Sequence, residues 1–348
     1  MTARVRAAAF ALLVLLATAG CEPSLAPTIR PSSGDSYRVG IAIVQKLYLR
    51  FRDAERMETV NINIDGDWRF TTVAKGHSAD LVFTLSSLSM RKASPGGVVE
   101  YAVRTPPGDS ATVPSGYTRA FAQFPLSVRL NGAGGLEMVE GSRALLTALR
   151  AEPDLANRTD DGELEKELSN IVSDRALADT LGTLFGILPS KKARAGDEWD
   201  VTREIFFDLI PVTTKIRLKL RAIQTGQARV EIKTEYSGES PGGEFGSSNL
   251  RFGNNGIRGQ GGGSAVISLE SGIATRVDAN AEFRGEVSVY GNPHLDPTEF
   301  YPFRMERTVA IHAIPTATLA PASAPATKRE PRRPGEGPDF SAPVPSEN

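Results

Sequence analysis

The sequence predicts an α+β protein that is made mainly of antiparallel strands. Apolar and polar residues alternate across residues 37–142, and the alternation returns across residues 189–315. Between these stretches, residues 143–188 place leucines at helical spacing. We therefore expect two strand-rich halves flanking a helical segment, arranged either as two lobes or as one curved sheet packed on the helices.

The N-terminal half contains short alternating segments separated by turn residues. Asp65-Gly66-Asp67 is a turn signal between two alternating runs, which predicts a hairpin. Residues 131–135, Asn-Gly-Ala-Gly-Gly, predict a second turn. The expected strand segments are 39–51, 60–64, 68–72, 81–85, 99–103, 126–130 and 136–139.

The helical segment begins at Ser142, a residue type that caps helices, and ends before Pro189. Its apolar stripe runs from Leu145 to Leu188, with breaks expected near Pro153 and Gly162. The stripe predicts packing against the sheet.

Strand-like alternation resumes in the C-terminal half and is interrupted once. The expected strand segments are 216–220, 230–236, 266–269, 279–283, 287–289 and 309–311. The glycine-rich stretch Gly238–Gly263 has little apolar content, and we expect it to be a mobile loop.

The first 20 residues are typical of a bacterial export signal, with Arg4 and Arg6 before the apolar run Ala7–Ala17. The run ends in Thr-Ala-Gly-Cys21, which resembles the lipobox of bacterial lipoproteins although Thr18 stands where leucine is usual. The alternative is an ordinary signal peptide with an incidental cysteine. The resemblance implies that Cys21 is lipidated, that the protein is anchored to a membrane through this residue, and that it is located in the cell envelope. The residue after the cysteine is not Asp, which favours the outer membrane.

Both ends of the mature chain have compositions that do not form a core. Residues 21–36 predict a flexible tether, and residues 316–348, rich in Pro, Ala and charge, predict a disordered tail. Removing this tail should leave the stability of the domain unchanged.

Composition excludes several classes of function. The 40 basic and 41 acidic residues give a net charge of −1, so nucleic acid is not an expected partner.

A single cysteine excludes disulfides within the chain, and the histidines, at positions 77, 294 and 312, lack metal-binding spacing. The glycines of residues 253–263 lack the Lys-Ser/Thr of a phosphate loop, and the acidic residues of 160–167 lack calcium-loop spacing. We therefore expect no catalytic residue, metal or cofactor.

One short motif carries a family resemblance. Leu188-Pro189 is followed by Gly196-Asp197-Glu198-Trp199, which resembles a signature of a family of uncharacterised bacterial envelope proteins, often lipoproteins, that carry a domain of unknown function. The resemblance covers about residues 36–315 and implies a strand-rich half, a helical middle and a second strand-rich half, with no catalytic residues.

Trp199 has two interpretations. It opens a strand in which Val201, Ile205 and Phe207 share its face, an alternation that only Arg203 breaks, so a core anchor is expected. The other interpretation is a platform on which a ligand stacks.

Three functional hypotheses follow. The first is a non-enzymatic lipid-anchored envelope protein that binds a lipid or other hydrophobic ligand in a cleft between sheet and helices, at residues that the sequence does not specify. The second is a structural or assembly lipoprotein that binds an envelope protein through sheet edges and the loop 238–263. The third is a hydrolase with a scattered site.

Overall fold

The computed structural model describes most of the chain between residues 23 and 316. The described ranges are 23–51, 54–73, 78–104, 116–151, 169, 171–207, 210–238, 251–254, 256–290 and 299–316. Cys21, His77, His294, the acidic residues 160–167 and the tail 317–348 lie outside the described residues.

In the described part of the chain, thirteen strands form one antiparallel sheet. They are β1 Ser36–Phe51, β2 Ala54–Val73, β3 Ser78–Ser94, β4 Gly97–Arg104, β5 Leu126–Asn131, β6 Leu136–Glu140, β7 Glu198–Phe207, β8 Ile210–Gln224, β9 Gln227–Gly238, β10 Arg251–Asn254, β11 Ile257–Ser268, β12 Ala274–Tyr290 and β13 Glu299–Thr316. The order across the sheet is β6-β5-β3-β2-β1-β13-β12-β11-β9-β8-β7, with β4 paired to β3 and β10 paired to β12.

The prediction of an α+β fold is wrong, because strands dominate the described residues, the helices among them are short, and the two strand-rich halves belong to a single sheet. β1 pairs with β2 on one side and with β13 on the other, in a register that runs from Ser36↔Thr316 to Leu49↔Phe303. Ser36 and Thr316 are 280 residues apart and their hydroxyls are hydrogen-bonded at 2.5 Å. Local alternation predicts strands but contains no information about such distant pairing.

Within the described ranges the helices are shorter than predicted, and residues 152–168 and 170 of the predicted helical segment, with the breaks expected near Pro153 and Gly162, lie outside those ranges. The described residues contain α1 Gly116–Gln123, which was not predicted, α2 Ser142–Arg150 and α3 Asp174–Leu181. After Leu181 the chain turns, with Gly186 at φ 77°, so the apolar stripe reaches Leu188 without forming a helix. Within the described ranges, no helix has the length and apolar content needed to cross a membrane.

The predicted hairpin at Asp65-Gly66-Asp67 is instead the middle of one 20-residue strand, β2. The register between β2 and β3 shifts there, because Asp65 pairs with Ser87 and Gly66 pairs with Leu85. Ser86 is therefore an extra residue in β3. As a result, the alternation of inward-facing and outward-facing side chains along β3 shifts by one residue at this point. Glycine is required at position 66 because a Cβ there would overlap the ring of Phe83 and the carbonyl of Thr84 in β3.

The prediction of a mobile loop at Gly238–Gly263 is wrong for residues 257–263, which belong to β11 between β9 and β12. A Cβ built on Gly259, Gly261 or Gly263 would overlap the backbone of β12. These alternate glycines allow the two strands to approach more closely than side chains would permit, as at a corner of a sheet. Residues 239–250 lie outside the described part.

Helix α3 lies between the two ends of the sheet. It packs against β6, the strand at one end, and β7, the strand at the other. The turns after α3 continue this closure, since Gly186 donates its N–H to the carbonyl of Gly134 at 2.8 Å. The sheet is therefore curled around an interior that α3 helps to close.

Residues 23–35 lie along this domain, although residues 21–36 were expected to form a flexible tether. Leu25 is buried and exchanges backbone hydrogen bonds with Ala193 at 2.8 and 3.1 Å. Arg30 donates its N–H to the carbonyl of Ser271 at 2.7 Å.

Candidate functional site

A band of polar side chains crosses the apolar interior of the sheet. We call it the polar belt, and define it as Arg203, Thr214, Thr234, Tyr236 and Arg307. All five lie on the inward-facing positions of their strands, which are otherwise occupied mainly by apolar residues.

The strand register places the belt residues in two adjacent rows. Arg203 of β7 pairs with Thr214 of β8, which pairs with Tyr236 of β9. The next row begins at Thr234 of β9, which pairs with a residue of β11. That residue pairs with one of β12, which in turn pairs with Arg307 of β13. Four strands separate β7 from β13 in the sheet order, so the electrostatic interaction between the two arginines depends on the curl of the sheet.

The guanidinium groups of the belt are incompletely hydrogen-bonded. Arg203 donates from Nη1 to the carbonyl of Gly182, in the turn after α3. The Nε atoms of Arg203 and Arg307 and the Oγ1 of Thr214 are shielded from solvent and have no hydrogen-bond partner among the described residues. Such buried unpaired polar groups are rare and costly in folded proteins, and they require a physical explanation.

Electrostatic interactions connect the two arginines to α3. Burial lowers the pKa of both Arg203 and Arg307, and the carboxylate of Asp179 on α3 opposes that effect in each case. Guanidinium nevertheless keeps its charge in proteins. The two arginines and Asp179 thus give this part of the interior a net charge of about +1, counted from ordinary side-chain charges.

Tyr236 lies beside this charge. Burial raises the pKa of Tyr236, while Arg203 and then Thr234 act to lower it. The phenol is therefore neutral at physiological pH. Its ring contacts Phe283 with a centroid separation of 4.4 Å, which places the hydroxyl-bearing ring at the boundary between polar and apolar groups.

The belt separates two apolar clusters. The larger contains most of the largest fully buried side chains, including Trp68, Phe70, Phe83 and Phe121. The smaller cluster consists of Ile205, Val212, Ile257, Phe283 and Met305, with half-buried Leu47, Tyr236, Ala281 and Phe303 against it. The interior is thus cationic at one level and apolar on both sides of it.

A family comparison places the chain. A family model described as a family of unknown function (DUF6263) matches residues 76–282, more than half of the 348 residues. The chain belongs to the DUF6263 family. The matched region contains Arg203, Thr214, Thr234 and Tyr236 of the belt, whereas Arg307 lies beyond it. No curated protein matches the chain significantly.

Solved structures resemble this DUF6263 protein only weakly. A structure described as lipid–protein interactions in lipovitellin has a TM-score of 0.36 at 12% identity and covers 83% of this chain, which spans only 26% of that protein. OccK7 (OpdD) of Pseudomonas aeruginosa has a TM-score of 0.22 at 8% identity, with 81% of this chain and 100% of that chain covered. OccK5 (OpdH) of the same organism has a TM-score of 0.20 at 8% identity, with 81% and 99% covered. These scores are low, and the site described above does not depend on them.

Trp199 of the DUF6263 protein faces inward, as the strand pattern predicts, but it is half-buried. Its Nε1 donates to the carbonyl of Ile187 at 3.2 Å, and its ring packs against the larger cluster. The turn before it is formed by Gly196 at φ 97° and by Asp197, whose Oδ2 accepts from the N–H of Arg194 at 2.8 Å.

The remaining sequence candidates do not converge on the belt. His312 is exposed in β13, and Cys21, His77 and His294 lie outside the described residues. Among the described residues, no group of three or more His, Cys, Asp or Glu side chains is placed to hold a metal ion.

The outer face of β7, β8 and β9 has a shallow charged groove. Lys219 contacts Glu198 at 2.7 Å and Arg217 contacts Asp200 at 3.2 Å, and all four side chains are at least one third exposed. Exposed pairs of this kind contribute little and are screened by salt. The groove is therefore a weaker candidate than the buried belt.

The sequence analysis did not identify the belt. The available signal was a charged residue at an inward-facing strand position, as at Arg203 between Val201 and Ile205 and at Arg307 between Met305 and Val309. Only Arg203 was noted, as an exception to the alternation. Its proximity to Arg307 depends on the curl of the sheet, which no local pattern specifies.

Proposed function

We propose that this DUF6263 protein is a non-enzymatic, lipid-anchored protein of the bacterial cell envelope that binds a hydrophobic ligand inside its curled sheet. The observation that carries the proposal is the polar belt, whose buried donors lie between two apolar clusters and have no partner in the described ranges. A ligand pocket typically combines mainly apolar walls with a few polar groups that orient the ligand. Such a ligand would also explain why the belt retains polar atoms with no partner among the residues that the structure describes.

The residues of the belt favour binding over catalysis. None of the five is a histidine, a cysteine or a carboxylate, so the belt itself holds no general base near neutral pH. Tyr236 is kept in its protonated form by burial. Arginine and tyrosine N–H and O–H groups donate hydrogen bonds, which suits the recognition of an acceptor group on a ligand.

The anchor and the location rest on the N-terminal sequence. Cys21 is the only cysteine and follows the export-type apolar run Ala7–Ala17 after three small residues. Attached acyl chains would hold the protein at a membrane, since more than one chain gives stable anchoring. The absence of Asp after Cys21 favours the outer membrane. We further propose that Leu188-Pro189…Gly196-Asp197-Glu198-Trp199 is a recurring motif of the family, whose role is to join the turns after α3 to β7.

Native mass spectrometry of the protein purified from its own membrane tests the ligand. We expect a non-covalent mass addition that organic extraction removes. A Cys21→Ser variant is the matched control: it loses the covalent acyl mass but should retain the non-covalent addition, because its interior is unchanged. Only ligand-free masses from both proteins would contradict the proposal.

The same variant tests the anchor. Wild-type protein should sediment with membranes, and Cys21→Ser should appear in the soluble envelope fraction. Equal sedimentation of the two proteins would contradict lipidation at Cys21.

The alternative, an assembly lipoprotein that uses sheet edges and the loop 238–263, has less support. Helix α3 packs against both terminal strands of the sheet order, β6 and β7. Residues 257–263 of the expected loop are paired on both sides within the sheet.

A further inference from the structure

We infer that the polar belt is the head-group site for a singly charged amphiphile, a fatty-acid carboxylate, whose chain lies against the smaller apolar cluster. This inference rests on the proposed function and names the class of ligand. It is carried by the shielded Nε atoms of Arg203 and Arg307, which have no hydrogen-bond partner in the described part of the chain, by the charge around them and by the distribution of apolar side chains.

The unpaired donors match an oxyanion. Arg203 already uses Nη1 on the carbonyl of Gly182, while its Nε and the Nε of Arg307 have no partner among the described residues. Hydrogen bonds from guanidinium to a carboxylate are short and strong compared with neutral ones. A carboxylate has two acceptor oxygens and could satisfy donors from both arginines.

The charge of the site matches a monoanion. Two guanidinium groups and the carboxylate of Asp179 sum to about +1, and Tyr236 is neutral. One carboxylate head group neutralises this charge. A phosphate monoester, with a charge approaching −2, would leave excess negative charge in an interior that penalises it.

The position of the apolar chain follows from packing. The larger cluster is filled by its own aromatic side chains, as Trp68 lies 6.0 Å from Phe83 and 5.1 Å from Phe185 between ring centroids. The smaller cluster is bordered by Leu47, Ala281 and Phe303, which keep part of their surface exposed. Apolar surface of this kind gains most from a ligand chain that removes it from water.

Binding to matched amphiphiles tests the inference. The probes are laurate, dodecanol and dodecyl phosphate, each below its micelle-forming concentration, and the protein is the full chain carrying Cys21→Ser so that no covalent acyl group competes. We expect laurate to bind about tenfold to a hundredfold more tightly than dodecanol, because charge-assisted hydrogen bonds are lost with the alcohol. Laurate should also bind more tightly than dodecyl phosphate.

Arg307→Gln should remove the preference for laurate over dodecanol. The matched control is Arg304→Gln, which removes the same charge from the exposed face of the same strand and should keep the preference. Asp179→Asn should raise the affinity for dodecyl phosphate relative to laurate, because the charge of the site then approaches +2. If Arg307→Gln does not fold, the wild-type comparison of the three probes still decides.

The outcomes separate the two proposals. Equal affinities for laurate and dodecanol would overturn the head-group site and leave a purely apolar ligand site in place. Tighter binding of dodecyl phosphate than of laurate would overturn the monoanion assignment. Absence of binding by all three probes, together with ligand-free masses from the membrane, would overturn the proposed function itself.

Discussion

Ser142 and Asp174 cap each other's helices. The N–H of Ser142 donates to Oδ1 of Asp174 at 3.0 Å, and the N–H of Asp174 donates to the hydroxyl of Ser142 at 2.9 Å. Ser142 begins α2 and Asp174 begins α3, so the two hydrogen bonds hold the amino ends of both helices together. Because α3 also carries Asp179 and contacts β7, this pair helps to fix the position of α3 relative to the polar belt.

Asp174→Ala should lower the free energy of unfolding by about 1–2 kcal/mol, the range for a lost helix cap, because the N–H of Ser142 is left unpaired. Urea denaturation measures the change. Asp67→Ala is the control, because Asp67 is exposed and lies 3.9 Å from Arg38, too far for a strong interaction. Equal effects of the two substitutions would contradict the capping role.

Gly263→Ala should destabilise the protein by about 1–3 kcal/mol, as overpacking in a tightly packed sheet does. The new Cβ would overlap the backbone of β12 at Asp278 and Ala279. Gly262→Ala is the matched control, because its Cβ lies on the opposite face, where its single close neighbour is the carbonyl of Ile232 at 3.3 Å. Thermal unfolding of the two variants compares them directly, and a control as unstable as Gly263→Ala would contradict the close approach of β12 as the cause.

These elements show how far the sequence determines the fold. The strand at 126–131, its turn and the strand at 136–140 follow from local alternation and glycine placement, and the structure confirms them. The glycines of β11 have the composition of a loop, because sequence alone does not show that a neighbouring backbone occupies the space a Cβ would fill. The α+β assignment failed for a related reason, since the pairing of Ser36 with Thr316 is set by tertiary packing.

The candidate site, like the fold, was predictable from the sequence only in part. The alternation of side-chain directions that places Arg203 on the inward face is a local property of the strand and can be read from the sequence. The convergence of Arg203, Arg307 and Asp179 requires the curl of the sheet and the position of α3, which are set by contacts between distant parts of the chain. An inward-facing charge in a strand is therefore a useful signal for a site, although it does not identify the partner.

Stability should fall at alkaline pH through Tyr236. Burial raises the pKa of Tyr236 above its usual value of 10.0, so the folded state holds the phenol proton more tightly than the unfolded state does. This contribution is fully present below pH 10.0, the unfolded value, and is lost as the pH rises from there through the higher folded value. Tyr236→Phe should therefore make the free energy of unfolding decline less steeply with pH in this window. Parallel declines for the variant and the wild type, measured by urea denaturation at each pH, would contradict the assignment.

Trp199→Ala should lower the free energy of unfolding by about 2–3 kcal/mol, less than the 3–5 kcal/mol or so typical of a fully buried tryptophan. The reason for the smaller value is that the indole is half-buried: it packs against the larger cluster on one side, and its Nε1 donates to the carbonyl of Ile187. Trp199→Phe separates the two contributions, because phenylalanine keeps most of the packing and loses the hydrogen bond, at a cost of about 1 kcal/mol. Thermal and urea unfolding of ligand-free protein measure both variants.

If Trp199 acted instead as a platform for a stacked ligand, both variants would unfold like the wild type and differ from it only in ligand affinity. The position of Ile187, in the turns that join α3 to β7, favours the first result, since the indole links that segment to the sheet whether or not a ligand is bound.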